Sequence, residues 1–254
     1  GNGGFGTVCT CWDTRLQRRV AIKRMPLLGA SETPGVLAST VDEALSEART
    51  ACLLAHPNIV TVHDFEIEGD YAYLVMEFVD GLNLSELLAR VEGGYLTYAE
   101  AAHMVSSLAK ALQYAHENGV LHLDIKPTNI MIDRQGTVKL ADFGMATLAS
   151  AAGYGGARGG TVGYMPPEQV EGMLVDERAD IFSLAVVLRQ ALTGVNVFAG
   201  RTAKESLDHI YKGPKIPLLK EDPEGPFAVD ASLTQALSPE PSMRQGSVLE
   251  FAQE

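Results

Sequence analysis

The residues best placed to do chemistry together lie in His122-Leu123-Asp124-Ile125-Lys126-Pro127-Thr128-Asn129 and, further on, Asp142-Phe143-Gly144. Between them stand two short apolar runs, Ile130 to Ile132 and Thr137 to Leu140, around a turn at Asp133 to Gly136. That pattern predicts an antiparallel hairpin whose open end brings Asn129 and Asp142 together, with Asp124 and Lys126 on the adjoining loop. Two oxygen ligands with an open coordination sphere suit Mg²⁺, which keeps waters and takes further ligands from phosphates. A nearby Asp can accept a hydroxyl proton, and a Lys can neutralise charge on a transferring group. Singly, each residue has a bland reading, since Asp and Asn favour turns and a Lys before Pro sits in a solvated loop. At this spacing they read as one site. His122 reads as a packing residue, not an acid or base.

Two more features point the same way. Gly1-x-Gly3-x-x-Gly6-x-Val8 is weak evidence alone, but it leads into a strand, which disfavours a dinucleotide-binding fold. Glycines let backbone lie close to phosphates. Val20-Ala21-Ile22-Lys23 puts a lysine on an apolar strand, and a lysine turned into a cleft needs a carboxylate to offset its desolvation. Glu43 and Glu47 lie one turn apart on one helix face, so helical geometry alone does not choose between them. Glu43 has a capping task, which favours Glu47.

The elements that must position these groups fall into two parts. Thr7 to Trp12, Val20 to Met25, Ile59 to Ile67 and Tyr71 to Phe78 read as strands, with a hairpin turn at Glu68-Gly69-Asp70. A helix begins near Thr40, where Thr40 and Glu43 fit a capping box, and ends at His56-Pro57. Thr97 and Glu100 open a second helix that stops at Asn118-Gly119, and Ile181 to Leu192 reads as a helix buried on most sides. The expectation is an α+β chain: a small strand-rich lobe over residues 1–76, a connector at 77–80, and a mainly helical lobe over 81–254. Clefts between lobes are a usual place for ligands.

The chain has 254 residues, is 46% hydrophobic and 20% charged, and carries a net charge of −12. That composition is globular, and 32 acids against 20 bases leave no cationic footprint for nucleic acid. No apolar run reaches bilayer length, so no membrane contact is expected within the chain. Cys9, Cys11 and Cys52 lack metal-site spacing and read as free thiols in a reducing cytoplasm. The start, without Met and already inside the glycine motif, reads as a piece of something longer that lacks most of a first strand. A tether elsewhere in the parent protein is compatible with this.

In order, the glycine motif, Val-Ala-Ile-Lys, His-x-Asp-x-Lys-Pro-x-Asn, Asp-Phe-Gly and Pro166-Pro167-Glu168 resemble the signature set of protein kinases. The likeness runs from Gly1 to Leu192 and more faintly to Arg244. Tyr73 to Gly81 resembles the eukaryotic-like serine/threonine kinases of bacteria in particular. The resemblance implies a bilobal fold that transfers the γ-phosphoryl group of ATP, with Mg²⁺ or Mn²⁺, to Ser or Thr of protein substrates, including a second copy of itself. It implies that Gly1, Gly3 and Gly6 cover the phosphates, and that Lys23 holds them while paired with Glu47. Met76 would guard the back of the pocket, the backbone at Glu77 and Val79 would bond adenine, and Val8, Ala21 and Met131 would sandwich the ring. Asp124 would orient and deprotonate the acceptor hydroxyl beside Lys126, the residue that marks the serine/threonine class. Asn129 and Asp142 would bind metal. Thr161 would bond the catalytic loop, Glu168 would pair with Arg244, and Asp180 would anchor the catalytic loop's backbone.

Leu123 departs from the pattern, because most relatives have an arginine there that reads a phosphate on the activation segment. The expectation is activity independent of that contact. An alternative is a pseudokinase, a nucleotide-binding scaffold or allosteric partner. The intact set Lys23, Glu47, Asp124, Asn129 and Asp142 favours chemistry.

Overall fold

The computed structural model describes residues 2–3, 6–26, 52–143, 162–212 and 227–253. The helix expected from Thr40 therefore lies largely outside the described residues, although Cys52 and Leu53 at its end are helical. Glu43, Glu47, Gly1 and Thr161 also lie outside them.

The first part is a five-stranded sheet: β1 (Asn2–Gly3), β2 (Gly6–Asp13), β3 (Arg18–Pro26), β4 (Val62–Glu68) and β5 (Tyr71–Glu77). The strands are ordered β1-β2-β3-β5-β4 and pair antiparallel throughout. Asp13 shapes the β2–β3 turn, its Oδ1 accepting the N–H groups of Arg15 and Leu16 at 3.0 Å each. Alternation along β5 turns Ala72, Leu74 and Met76 inward, where they join Met25 and Val60 in a small core. Ala21, Val79 and Met131 pack against the same cluster. On β3, Lys23 shares a face with Ala21 and Met25, so strand geometry alone sends it toward the interior.

The strand read from Ile59 begins only at Val62. Residues 58–60 are diverted instead to β8 (Val138–Leu140): Val60 N–H donates to Leu140 O at 2.9 Å, and Leu140 N–H to Asn58 O at 2.8 Å. The apolar, β-branched run is real, but its first residues pair with the second part of the chain.

That second part contains a small sheet, β6 (Gly81–Asn83), β7 (Ile130–Asp133) and β8, in that order. Gly81 is required by close approach, since a Cβ there would overlap the Ile132 carbonyl. The rest is helical: α1 (Leu84–Leu88), α2 (Tyr98–Glu117), α3 (Pro167–Val170), α4 (Glu177–Thr193), α5 (Ala203–Lys212), α6 (Phe227–Ala236) and α7 (Val248–Gln253). Asn83 with Glu86 and Thr97 with Glu100 form reciprocal capping boxes at the starts of α1 and α2. α2 ends at Asn118, and Gly119 takes φ 74°. Residues Ala179 to Arg189 of α4 are all buried, as expected of a helix covered on most sides. α4 therefore offers its first turn as a rigid anchor.

Candidate active site

That anchor is Asp180, which has no exposed surface. Its carboxylate accepts the backbone N–H of His122 at 2.9 Å and of Leu123 at 2.8 Å, and Nε2 of His116 at 2.8 Å. Burial opposes ionisation, but the His116 bond, the nearby imidazoles and these amides outweigh it and hold the carboxyl below its usual range.

Leu123 adopts φ 59°, a conformation costing an L-residue on the order of 1–3 kcal/mol. Asp180 holds its N–H, and Gln169 Nε2 donates to its carbonyl at 2.7 Å. The strained link is thus gripped from both sides, which turns the chain so that Asp124 follows. Sequence reasoning missed Gln169 and His116. Their partners are remote in sequence, and no local pattern marks them.

His122 is fully buried. Its Nδ1 accepts the Asp124 N–H at 3.2 Å, so Nε2 carries the proton and donates to Ala141 O at 2.9 Å. Its ring meets Phe143 edge-on, with centroids 4.6 Å apart. His122 therefore splices the Asp124 loop to residues 141–143.

Asp124 accepts Lys126 Nζ at 2.9 and 2.7 Å, and Asn129 Nδ2 at 3.1 Å. Asn129 Nδ2 also donates to the Asp124 carbonyl at 2.9 Å, and Ala141 N–H to the Asn129 carbonyl at 2.8 Å. Because both side-chain bonds of Asn129 use its nitrogen, its amide oxygen is left to serve a hard cation. Asp142, at φ 67°, supplies a carboxylate one residue beyond Ala141, whose N–H is bonded to the Asn129 carbonyl. This donor set, one amide oxygen and one carboxylate with room for waters and phosphate, fits Mg²⁺.

Lys23 Nζ lies 2.8 Å from Asp142 Oδ2, with the side chains 5% and 19% exposed. The carboxylate beside Lys23 among the described residues is thus one that sequence reasoning assigned to metal; Glu47 falls outside them. Burial would raise the Asp142 carboxyl, but the Lys23 ammonium overrides this and lowers it. Its contribution to stability is present above the unfolded-state value and is lost as pH falls through the folded one. Lys23→Met strands the carboxylate. Its loss of stability should be full at pH 7 and shrink as pH falls, first as the stranded Asp142 of the variant takes up a proton and then, below about pH 4, as the wild-type pair loses its own advantage. Urea unfolding of both proteins at pH 7 and pH 3 checks this; an equal gap at both pH values contradicts it.

Above the hairpin, Ala21, Val79 and Met131 present apolar surface beside Met76. Gly6 has φ 148°, and a Cβ on it would overlap the Arg24 carbonyl. Its glycine is thus required for β2 to approach β3, whatever it does for a ligand. Below, Arg244 grips Glu168 with two bonds of 2.7 and 3.0 Å, both residues being buried. Arg244 also donates to the carbonyls of Arg178 (3.0 Å), Ser238 (2.8 Å) and Pro239 (3.2 Å). This fixes α3, and with it Gln169.

A strand lysine, a strained Asp at the end of a hairpin, and an Asp-Lys-Asn loop hung from a buried helix define a class of phosphotransferase domain. The protein kinase domain family matches residues 1–245. The chain belongs to that family. It is 35% identical to the serine/threonine-protein kinase PrkC of Bacillus subtilis over 96% of its length, covering 37% of that protein. It is 38% identical to PknA of Mycobacterium tuberculosis over 98% of its length, covering 57% of that protein. Against PknB of Mycobacterium tuberculosis the figures are 35%, 99% and 40%. The chain spans roughly two-fifths to three-fifths of the length of these serine/threonine-protein kinases.

Proposed function

We propose that this domain transfers the γ-phosphoryl group of ATP to serine or threonine side chains of protein substrates, itself included. The observation that supports this most is the Lys23–Asp142 pair and the Asp124–Lys126–Asn129 cluster, tied together by the bond from Ala141 N–H to the Asn129 carbonyl. Adenine enters between Val8 and Ala21 on one side and Met131 on the other, bonding the backbone at Glu77 and Val79. Lys23 neutralises the phosphates. Mg²⁺ held by Asn129 and Asp142 supplies charge neutralisation and orientation of the phosphate chain.

Asp124 accepts the proton of the substrate hydroxyl as its oxygen bonds to the γ-phosphorus. The bond from that phosphorus to the β-phosphate's bridging oxygen breaks, and ADP leaves. Lys126, already on Asp124, offsets charge on the transferring group. Glu168 and Arg244 hold the segment on which a peptide docks. The test is transfer of labelled phosphate from ATP, with identification of the residue that carries it. A cytoplasmic location, where ATP and reduced thiols coexist, goes with this reading. No helix among the described residues is long and apolar enough to cross a membrane.

Leu123 carries a second part of the proposal. With leucine there, position 123 has no guanidinium to read a phosphate, and its backbone is held by Asp180 and Gln169. Turnover should therefore survive phosphatase treatment that clears Thr147, Ser150 and Thr161, within about two-fold. Loss of activity on dephosphorylation, with Leu123→Arg changing nothing, would sink this part.

A further inference from the structure

Lys139 has no role in the account so far, yet it is only 15% exposed in its side chain and makes a two-point contact. Its Nζ lies 2.9 Å from Oε1 and 3.0 Å from Oε2 of Glu77, a partner 62 positions away and 29% exposed. Glu77 Oε2 also accepts the N–H of Thr61 at 3.2 Å, and Glu77 N–H donates to Thr61 O at 2.8 Å. One carboxylate thus joins the end of β5, the lead into β4, and β8.

The placement of Lys139 follows from register. It is the cross-strand partner of Met131, and directly opposed residues of an antiparallel pair share a face. Lys139 therefore rises from the face of the hairpin that carries Met131, while its neighbours Val138 and Leu140 are buried. Glu77 ends β5, and residues 78–80 beyond it have no regular secondary structure. Asp80 gives that stretch a second tie, its carbonyl accepting Arg134 N–H at 3.2 Å. Among the described residues its carboxylate pairs with exposed Arg19 and Arg134, and such surface pairs hold little.

We propose that Lys139, acting through Glu77, is a positioning residue for nucleotide binding: it fixes the backbone of residues 77–79 where adenine is to bond. This rests on the reading of the cleft as the ATP site. An irregular segment that must offer backbone donors and acceptors in a set geometry binds best when it is ordered beforehand. The Glu77–Lys139 contact supplies that order through the Glu77 side chain.

The test compares wild type with Lys139→Met, Lys139→Arg, Glu77→Gln and the Glu77→Gln/Lys139→Met pair. ATP affinity is read by calorimetry with Mg²⁺, and KM and kcat by phosphate transfer. Lys139→Met should weaken ATP binding by about three- to ten-fold and raise KM by more than it changes kcat. Lys139→Arg should recover most of the loss, and the double variant should be no worse than the poorer single one. Amide exchange at residues 77–80 should quicken in Lys139→Met. Should Lys139→Met fail to fold, Lys139→Gln, which keeps a donor without the charge, carries the same expectation at smaller size. An unchanged ATP affinity with a lowered melting temperature overturns the proposal, because the pair is then only structural. Tighter binding or faster turnover also overturns it, by marking the pair as a restraint. If wild type itself binds no ATP, the nucleotide reading fails, and this proposal with it.

Discussion

Asp124→Asn should lower kcat by about 10² to 10⁴-fold while ATP binding stays near that of wild type. The substitution keeps the shape of the side chain but removes the carboxylate proposed to take the hydroxyl proton. It also breaks one of the two Lys126 contacts, because an amide nitrogen cannot accept from an ammonium. Lys23 and Asp142 contact each other and not Asp124, so the phosphate and cation end of the site should persist. Single-turnover transfer beside calorimetric titration with ATP separates the two effects. A variant keeping more than about a tenth of wild-type kcat means that Asp124 is not the base.

Arg244→Met should lower stability by about 3–5 kcal/mol, the range seen when one member of a buried ion pair is removed. Glu168 would keep its charge in a site 3% exposed, and three backbone carbonyls would lose their donor. The double change Glu168→Leu/Arg244→Met should regain part of the loss, because no buried charge is then stranded. Activity should fall further than stability alone explains, since Glu168 precedes Gln169 and Gln169 holds the Leu123 carbonyl. Denaturant melts of the three proteins decide it. Single and double variants of equal stability would show that the pair's charge is not what matters.

What could be read in the sequence was what is local. The capping boxes at Asn83–Glu86 and Thr97–Glu100 span four residues each. The β7–β8 hairpin announces itself through two apolar runs and a turn in which Asp133 Oδ1 accepts the N–H of Gln135 and Thr137. That Asp124, Lys126 and Asn129 meet was legible because they lie within six residues of one loop. The contact between Lys23 and Asp142 was not, since it joins residues 119 positions apart and no periodicity encodes it. The same holds for Gln169 on Leu123, His116 on Asp180 and Lys139 on Glu77. The diversion of residues 58–60 to β8 was hidden for another reason. A β-branched run specifies that it will pair, but not with which strand.

The most direct measurement is transfer of label from γ-labelled ATP, with Mg²⁺, to a generic protein and to the chain itself, followed by identification of the phosphorylated residue. The account predicts label on serine and threonine that disappears with Asp124→Asn. No label, with ATP and Mg²⁺ still raising the melting temperature, would contradict it and leave a nucleotide-binding scaffold in place of an enzyme.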